Sequence, residues 1–186
     1  AFGINALYTN TTASYNTAVG KNSLIYNTTG QENTACGYQT LRDNTTGGKN
    51  SGFGMQALMK NTTASSNTAV GYSAMLENTT GVNNTACGEQ ALYSNTTANH
   101  NTASGYQALY TNTTGEYNIG VGSFALYYNT TGIKNVAVGY STLLDNTTGD
   151  NNTALGHVAL YNNTTGAENT SVGFESMYIN TTGDKN

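Results

Sequence analysis

Few side chains in this chain can do chemistry, and those that recur do so at one spacing. The triplet Asn-Thr-Thr occurs eleven times, each copy 17 residues from the next, with its asparagines at Asn10, Asn27, Asn44, Asn61, Asn78, Asn95, Asn112, Asn129, Asn146, Asn163 and Asn180. Asn-x-Thr is the acceptor pattern for N-linked sugar, so each of these is a candidate glycosylation point. Stacking offers them a second use. An amide side chain carries donors and an acceptor, and like amides placed above one another form a ladder. Turn chemistry and laddering explain the triplet without any sugar, and that is the favoured reading. Tyrosine is the other abundant functional type, with 14 residues and no Trp. Tyr8, Tyr93, Tyr110, Tyr127, Tyr161 and Tyr178 share one place in the 17-residue unit, and Tyr38, Tyr72, Tyr106 and Tyr140 share another. Such rows of rings can pack along the stack, meet a neighbouring chain, or stack on sugar rings.

The remaining reactive groups do not assemble. Cys36 and Cys87 occupy the same place in units three apart. Stacked units put them about 14 Å from each other, beyond the roughly 7 Å between Cα atoms that a disulfide tolerates. They replace valine in an apolar column and read as small core hydrophobes, with a bridge to another chain left open. His100 and His157 fall at different places in the unit. No His/Cys/Asp cluster has metal-ligand spacing. Glycine recurs without the lysine of a phosphate loop or the helix that follows a dinucleotide fingerprint. A nucleophile, base and orienter are hard to build from residues that return every 17 positions. The expectation is a protein that is not an enzyme and that uses no metal or cofactor.

What positions all these groups is the repeat itself. Numbering each unit from the asparagine at 16, 33, 50 and so on to 186, there is no insertion anywhere. Position 5 is glycine in every copy: Gly3, Gly20, Gly37, Gly54, Gly71, Gly88, Gly105, Gly122, Gly139, Gly156 and Gly173. Glycine at a fixed place implies positive φ or a close backbone approach. Position 9 is Leu or Met, position 8 is small, and position 4 is mostly apolar (Val19, Phe53, Val70, Leu155). Columns 4, 8 and 9 therefore read as buried, with 4 and 9 forming the core. All sixteen charged residues fall at positions 6–7, 10–11 or 16–17. Three restricted segments alternate with three tolerant ones, which favours a three-sided coil with one turn per unit. Thr-Ala-Val-Gly suits a short strand. Positions 6–10, as in Tyr106-Gln-Ala-Leu-Tyr110, fit a second strand or a single helical turn.

Composition removes other classes. The net charge of −4 and pI near 4.9 leave no basic footprint for nucleic acid. No apolar run approaches the roughly 20 residues needed to cross a bilayer. Proline is absent, which suits continuous ladders. Low charge with abundant Asn fits disorder, but a disordered chain has no need to hold a register.

The string Asn-Thr-Ala-Val-Gly-Tyr-x-Ala-Leu-Tyr-x-Asn-Thr-Thr-Gly resembles repeats of bacterial and phage tail-fibre-domain proteins. Those often carry a C-terminal intramolecular chaperone, and none is present in this segment. The subset from Gly81 to Ala91, with Cys87 in the valine slot, is similar to head repeats of trimeric autotransporter adhesins. The second resemblance implies left-handed parallel β-rolls that trimerise. This unit is three residues longer than that family's, the extra residues sitting near Leu-Tyr-x-Asn-Thr-Thr.

The resulting expectation is an all-β parallel β-solenoid (a β-roll or β-helix), one 17-residue unit per coil and about eleven coils, with a short helical turn per coil as an option. Residues 1–186 are expected to form a single uncapped array that is part of a longer fibre. The expected role is a stalk or shaft outside the cell, on a cell surface or virion, with itself as partner in an oligomer or end-to-end filament. The alternatives are an adhesin or receptor-binding fibre recognising glycans, and an ice-binding solenoid. The ice reading is weakened because the paired threonines, such as Thr11 and Thr12, are adjacent instead of two apart.

Overall fold

A computed structural model describes residues 1–186. It is a parallel β-solenoid. Ten three-residue strands form one sheet in sequence order: β1 (Thr17–Val19), β2 (Thr34–Cys36), β3 (Ser51–Phe53), β4 (Thr68–Val70), β5 (Thr85–Cys87), β6 (Thr102–Ser104), β7 (Ile119–Val121), β8 (Val136–Val138), β9 (Thr153–Leu155) and β10 (Thr170–Val172). Each strand pairs with the next in parallel and in phase, as Thr17 with Thr34 and Val70 with Cys87. Phe2 adds an isolated parallel bridge to Val19. Like residues therefore sit above like residues along the whole stack.

Strands are only part of what joins the coils. Of 117 backbone hydrogen bonds, 18 lie within the strands and 99 outside them. The segment from position 6 to 11 explains the difference, and it corrects one expectation: it contains no helical turn. Positions 7 and 9 hold positive φ in each coil, for example Gln107 at 54° and Leu109 at 54°. They alternate with residues outside that region, and the N–H groups of positions 7 and 9 point in opposite directions along the axis. Gln107 N–H donates to Glu89 O in the coil below (3.0 Å), and Leu109 N–H donates to Ala125 O in the coil above (2.9 Å). A helix would keep these bonds local; here they link neighbours. Leucine at positive φ costs roughly 1–2 kcal/mol per residue. Its side chain is fully buried at Leu24, Leu41, Leu58, Leu92, Leu109, Leu126, Leu143 and Leu160, which offsets that cost.

The core also differs from the expected one. Columns 8 and 9 are buried, but column 4 is not. Alternation along each three-residue strand turns position 3 inward and positions 2 and 4 outward. Ala18, Ala69 and Ala154 are fully buried, while Val19, Val70 and Leu155 stand 39, 39 and 48% exposed. Small alanines at 3 and 8 let the coil walls approach, and Leu or Met at 9 fills the remaining space. One local exchange shows how tight this is. Column 8 enlarges to Thr40, and the facing column 3 shrinks to Gly52, where a Cβ would lie 2.6 Å from the Thr40 methyl. Cys36 and Cys87 share column 4 and are exposed free thiols, so they are not core hydrophobes.

The glycine of position 5 turns the chain out of the strand. At Gly71 φ is 134°, and a Cβ would meet the Gly88 carbonyl oxygen at 2.5 Å. Both the dihedral and the contact demand glycine.

Candidate functional site

The asparagines come first, because their columns run the length of the molecule. In column 12 each side chain bonds in two directions. Asn44 Nδ2 donates to Asn27 Oδ1 at 2.7 Å and to Gly47 O at 2.9 Å, closing its own turn. Asn61 Nδ2 then donates to Asn44 Oδ1 at 2.8 Å, and the pattern continues upward. Column 1 works differently. Asn33 Oδ1 accepts from the Asn50 backbone N–H at 3.0 Å, and Asn50 Nδ2 reaches Ala64 O at 2.8 Å. No buried side-chain polar atom is left without a partner. Asn27 through Asn163 of column 12 are fully buried, while Asn10 and Asn180 are half-buried at the two ends. An N-linked sugar would take the place of a hydrogen on Nδ2, and in these inner coils both hydrogens are used. The ladder and the sugar are thus mutually exclusive in the stacked state.

The adjacent threonines separate. Thr45 Oγ1 donates to Thr62 O at 3.1 Å and is half-buried, while Thr46 is exposed. The triplet therefore presents a single outward threonine column.

The tyrosine row at position 10 stacks mainly on itself. Tyr93, Tyr110 and Tyr127 stack with centroids 5.1 and 5.2 Å apart and planes within 16° and 4°. Tyr161 and Tyr178 stack at 5.0 Å. In the other row Tyr140 stacks on His157, which stacks on Phe174, at 5.1 and 5.4 Å. Ring faces thus look along the axis, toward the next coil. Tyr38, Tyr72, Tyr106 and Tyr140 remain 40 to 48% exposed, and Tyr8, at the first coil, is exposed. His100 stacks on Tyr117 in a separate column, so the two histidines belong to different rows. No three His, Cys, Asp or Glu side chains come together.

One coil breaks the pattern. Leu144 stands in the tyrosine column with Tyr127 below and Tyr161 above, and Ser141 stands beside Phe124. The result is a cleft of ≈ 350 Å³ lined by these side chains with Tyr128 and Tyr140. Phe124 stands edge-on to Tyr106, Tyr127 and Tyr140 at 5.2, 5.8 and 5.9 Å. Burial pushes the Tyr127 and Tyr161 hydroxyls above their ordinary pKa, and Asp145 adds to the shift at Tyr161. Asp145 follows Leu144 in the chain, and burial pushes its carboxyl upward too. Sequence reasoning missed this cleft. Its signal was present: Leu144 is the one non-aromatic residue of its column with tyrosine on both sides.

A second, shallow polar hollow of ≈ 460 Å³ lies where Gly48 replaces a side chain beside Lys49, Gln31 and Ser65. Charge pairs are few. Arg42 bonds Asp43 at 2.7 Å, a contact that raises the guanidinium pKa, and Lys60 bonds Glu77 at 2.6 Å. No helix is long and apolar enough to cross a membrane.

Comparison with protein-family models, with curated proteins and with solved structures gives no match.

Proposed function

We propose that this chain is a non-catalytic shaft segment of an extracellular fibre on a cell surface or virion, and that several copies lie side by side in it. The observation that carries the reading is the outer face of the sheet. Columns 2 and 4 point outward, yet no copy places a charge there. Exposure alone would tolerate Lys or Glu, as columns 6, 11 and 17 do. An exposed strip without charge is what a covered surface needs. The strip has side chains at the strand pitch of about 4.8 Å. A second copy of the chain has the same pitch, so its side chains interleave along the full length. The polar columns supply the other property of a shaft, since each added coil brings its own hydrogen-bond partners and length is unrestricted.

The test is in-phase deletion. Removing any one 17-residue coil is expected to leave a folded, associating rod shortened by about 5 Å. Finding one coil whose loss abolishes the biological role while the rod persists would contradict a shaft. Oxidative cross-linking adds the chain direction. Parallel, in-register copies join Cys36 to Cys36, and antiparallel copies join Cys36 to Cys87; monomers in sedimentation that never cross-link would remove the multi-chain part.

Recognition of glycans is the second reading, favoured by the outward rings of Tyr38, Tyr72, Tyr106 and Tyr140. Sugars stack on ring faces, and the faces of the position-10 row are largely taken by neighbouring rings, as is one face of Tyr140. A glycan array probed with this segment separates the two. Ice binding needs a flat threonine lattice, and the outward column 4 carries Phe53 and Leu155 beside the threonines of column 2.

A further inference from the structure

The cleft at Leu144 is where two stacked rows of rings end opposite each other across a single coil. The row below ends on Tyr127, stacked flat on Tyr110, and the row above begins with Tyr161, stacked flat on Tyr178. Neither has a ring stacked on the side toward the Leu144 coil, where Tyr128 and Phe124 meet Tyr127 only edge-on, at 4.6 and 5.8 Å. Single-coil ring spacing is 5.2 Å at one side and 5.0 Å at the other. A group centred over Leu144 would thus lie about 5 Å from both centroids, inside the roughly 6 Å at which a cation is held by a ring face.

Charge decides what kind of group. Three acidic residues occupy column 11: Asp43, Glu77 and Asp145. Asp43 is paired with Arg42 and Glu77 with Lys60. Asp145 has no cation partner and no side-chain hydrogen bond. Its backbone N–H donates to Tyr161 O at 3.0 Å, which fixes it at the cleft's edge. The lining thus offers electron-rich rings and no positive group, and the one unneutralised carboxylate of column 11 adjoins it, near enough to act on the Tyr161 hydroxyl. The cation that fits such a wall is one with apolar substituents, because a bare ammonium would lose its water to ring faces that cannot replace those hydrogen bonds.

We infer that the cleft between Tyr127 and Tyr161 is a binding site for a trimethylammonium group, seated over Leu144 with Asp145 as its counter-charge. The groups that carry this chemistry are free choline and the choline headgroup of a lipid.

The test uses the full 186-residue chain. Choline and its neutral carbon isostere, 3,3-dimethylbutan-1-ol, are titrated while the tyrosine ring signals are followed by NMR. Choline is expected to bind with a Kd on the order of millimolar, shifting Tyr127 and Tyr161, and the isostere about tenfold more weakly. Leu144→Tyr continues the existing tyrosine column, so the chain is expected to keep its fold by circular dichroism and lose binding. Asp145→Asn is expected to weaken binding about threefold. Vesicles of phosphatidylcholine distinguish the sources: pelleting of the wild type but not of Leu144→Tyr adds support and assigns the headgroup. Equal binding of the isostere, retained binding in folded Leu144→Tyr, or a methyl pyranoside shifting the same rings where choline does not, would each overturn the proposal. The wild-type ring shifts alone decide the matter should Leu144→Tyr fail to fold.

Discussion

A buried asparagine is tolerable only when each of its polar atoms has a partner. In this molecule the partner is the same residue one coil away, so the requirement is met by repetition. Asn61 occupies the middle of such a column, donating to Asn44 Oδ1 and Ala64 O and accepting from Asn78 Nδ2. Asn61→Ala leaves Asn44 Oδ1 and one Nδ2 hydrogen of Asn78 without a partner in a dry interior. It is expected to lower unfolding stability by about 1–3 kcal/mol in a denaturant titration, and a neutral outcome would mean water replaces the ladder. Asp145 makes the opposite case, a carboxylate without relief. Its folded pKa is raised above 3.8 by burial, so the folded state holds the proton more tightly than the unfolded chain. Stability from this group is therefore lower above the folded pKa and rises as pH falls through it. Asp145→Asn is expected to remove that rise, with a change within about 0.5 kcal/mol at neutral pH. Parallel stability–pH curves for wild type and variant would contradict the assignment.

At the scale of the element, a three-residue strand has one inward residue, and here it is the least hydrophobic of the apolar ones. Leu92 is fully buried and Val70 is 39% exposed. Leu92→Ala is expected to cost about 2–5 kcal/mol, whereas Val70→Ala should stay within about 1 kcal/mol in the isolated chain. A reversal of that order would restore column 4 to the core. The same geometry predicts that Cys36 and Cys87 react with a thiol reagent in the folded monomer. Comparing the copies was enough to find the coil, its phase, the strand and the stacking of asparagines, because each follows from identity at a fixed spacing. The inward face was misassigned for a physical reason. Val19 and Phe53 carry more apolar area than Ala18 and Gly52, but the pleat, not hydrophobicity, decides the direction, and a narrow coil has room only for the smaller pair. The segment at Tyr106–Tyr110 was open between strand and helical turn for another reason. A leucine at positive φ is rare enough that no local pattern announces it, and only the bonds between coils stabilise it.

The whole molecule is a sum of like interfaces, with no central core to organise the rest. Each coil contributes one Leu or Met, two small residues and two asparagines, too little to fold alone. Phase should therefore matter more than length. Deleting 17 residues is expected to preserve a cooperative transition, while deleting 8 or 9 puts polar residues into column 9 and is expected to abolish it. The outer strip of columns 2 and 4 is exposed and uncharged, as the outward threonine column is, but it alone also carries large apolar side chains, and it is where a second copy is expected. All of this depends on each unit being one rung. Cryo-EM of the rods measures that directly as the axial advance per 17 residues. A rise of about 4.8 Å per unit, with side-chain density repeating at each rung, is the expected result. An advance of two or more strand spacings per unit, or density for helices in place of rungs, would contradict it.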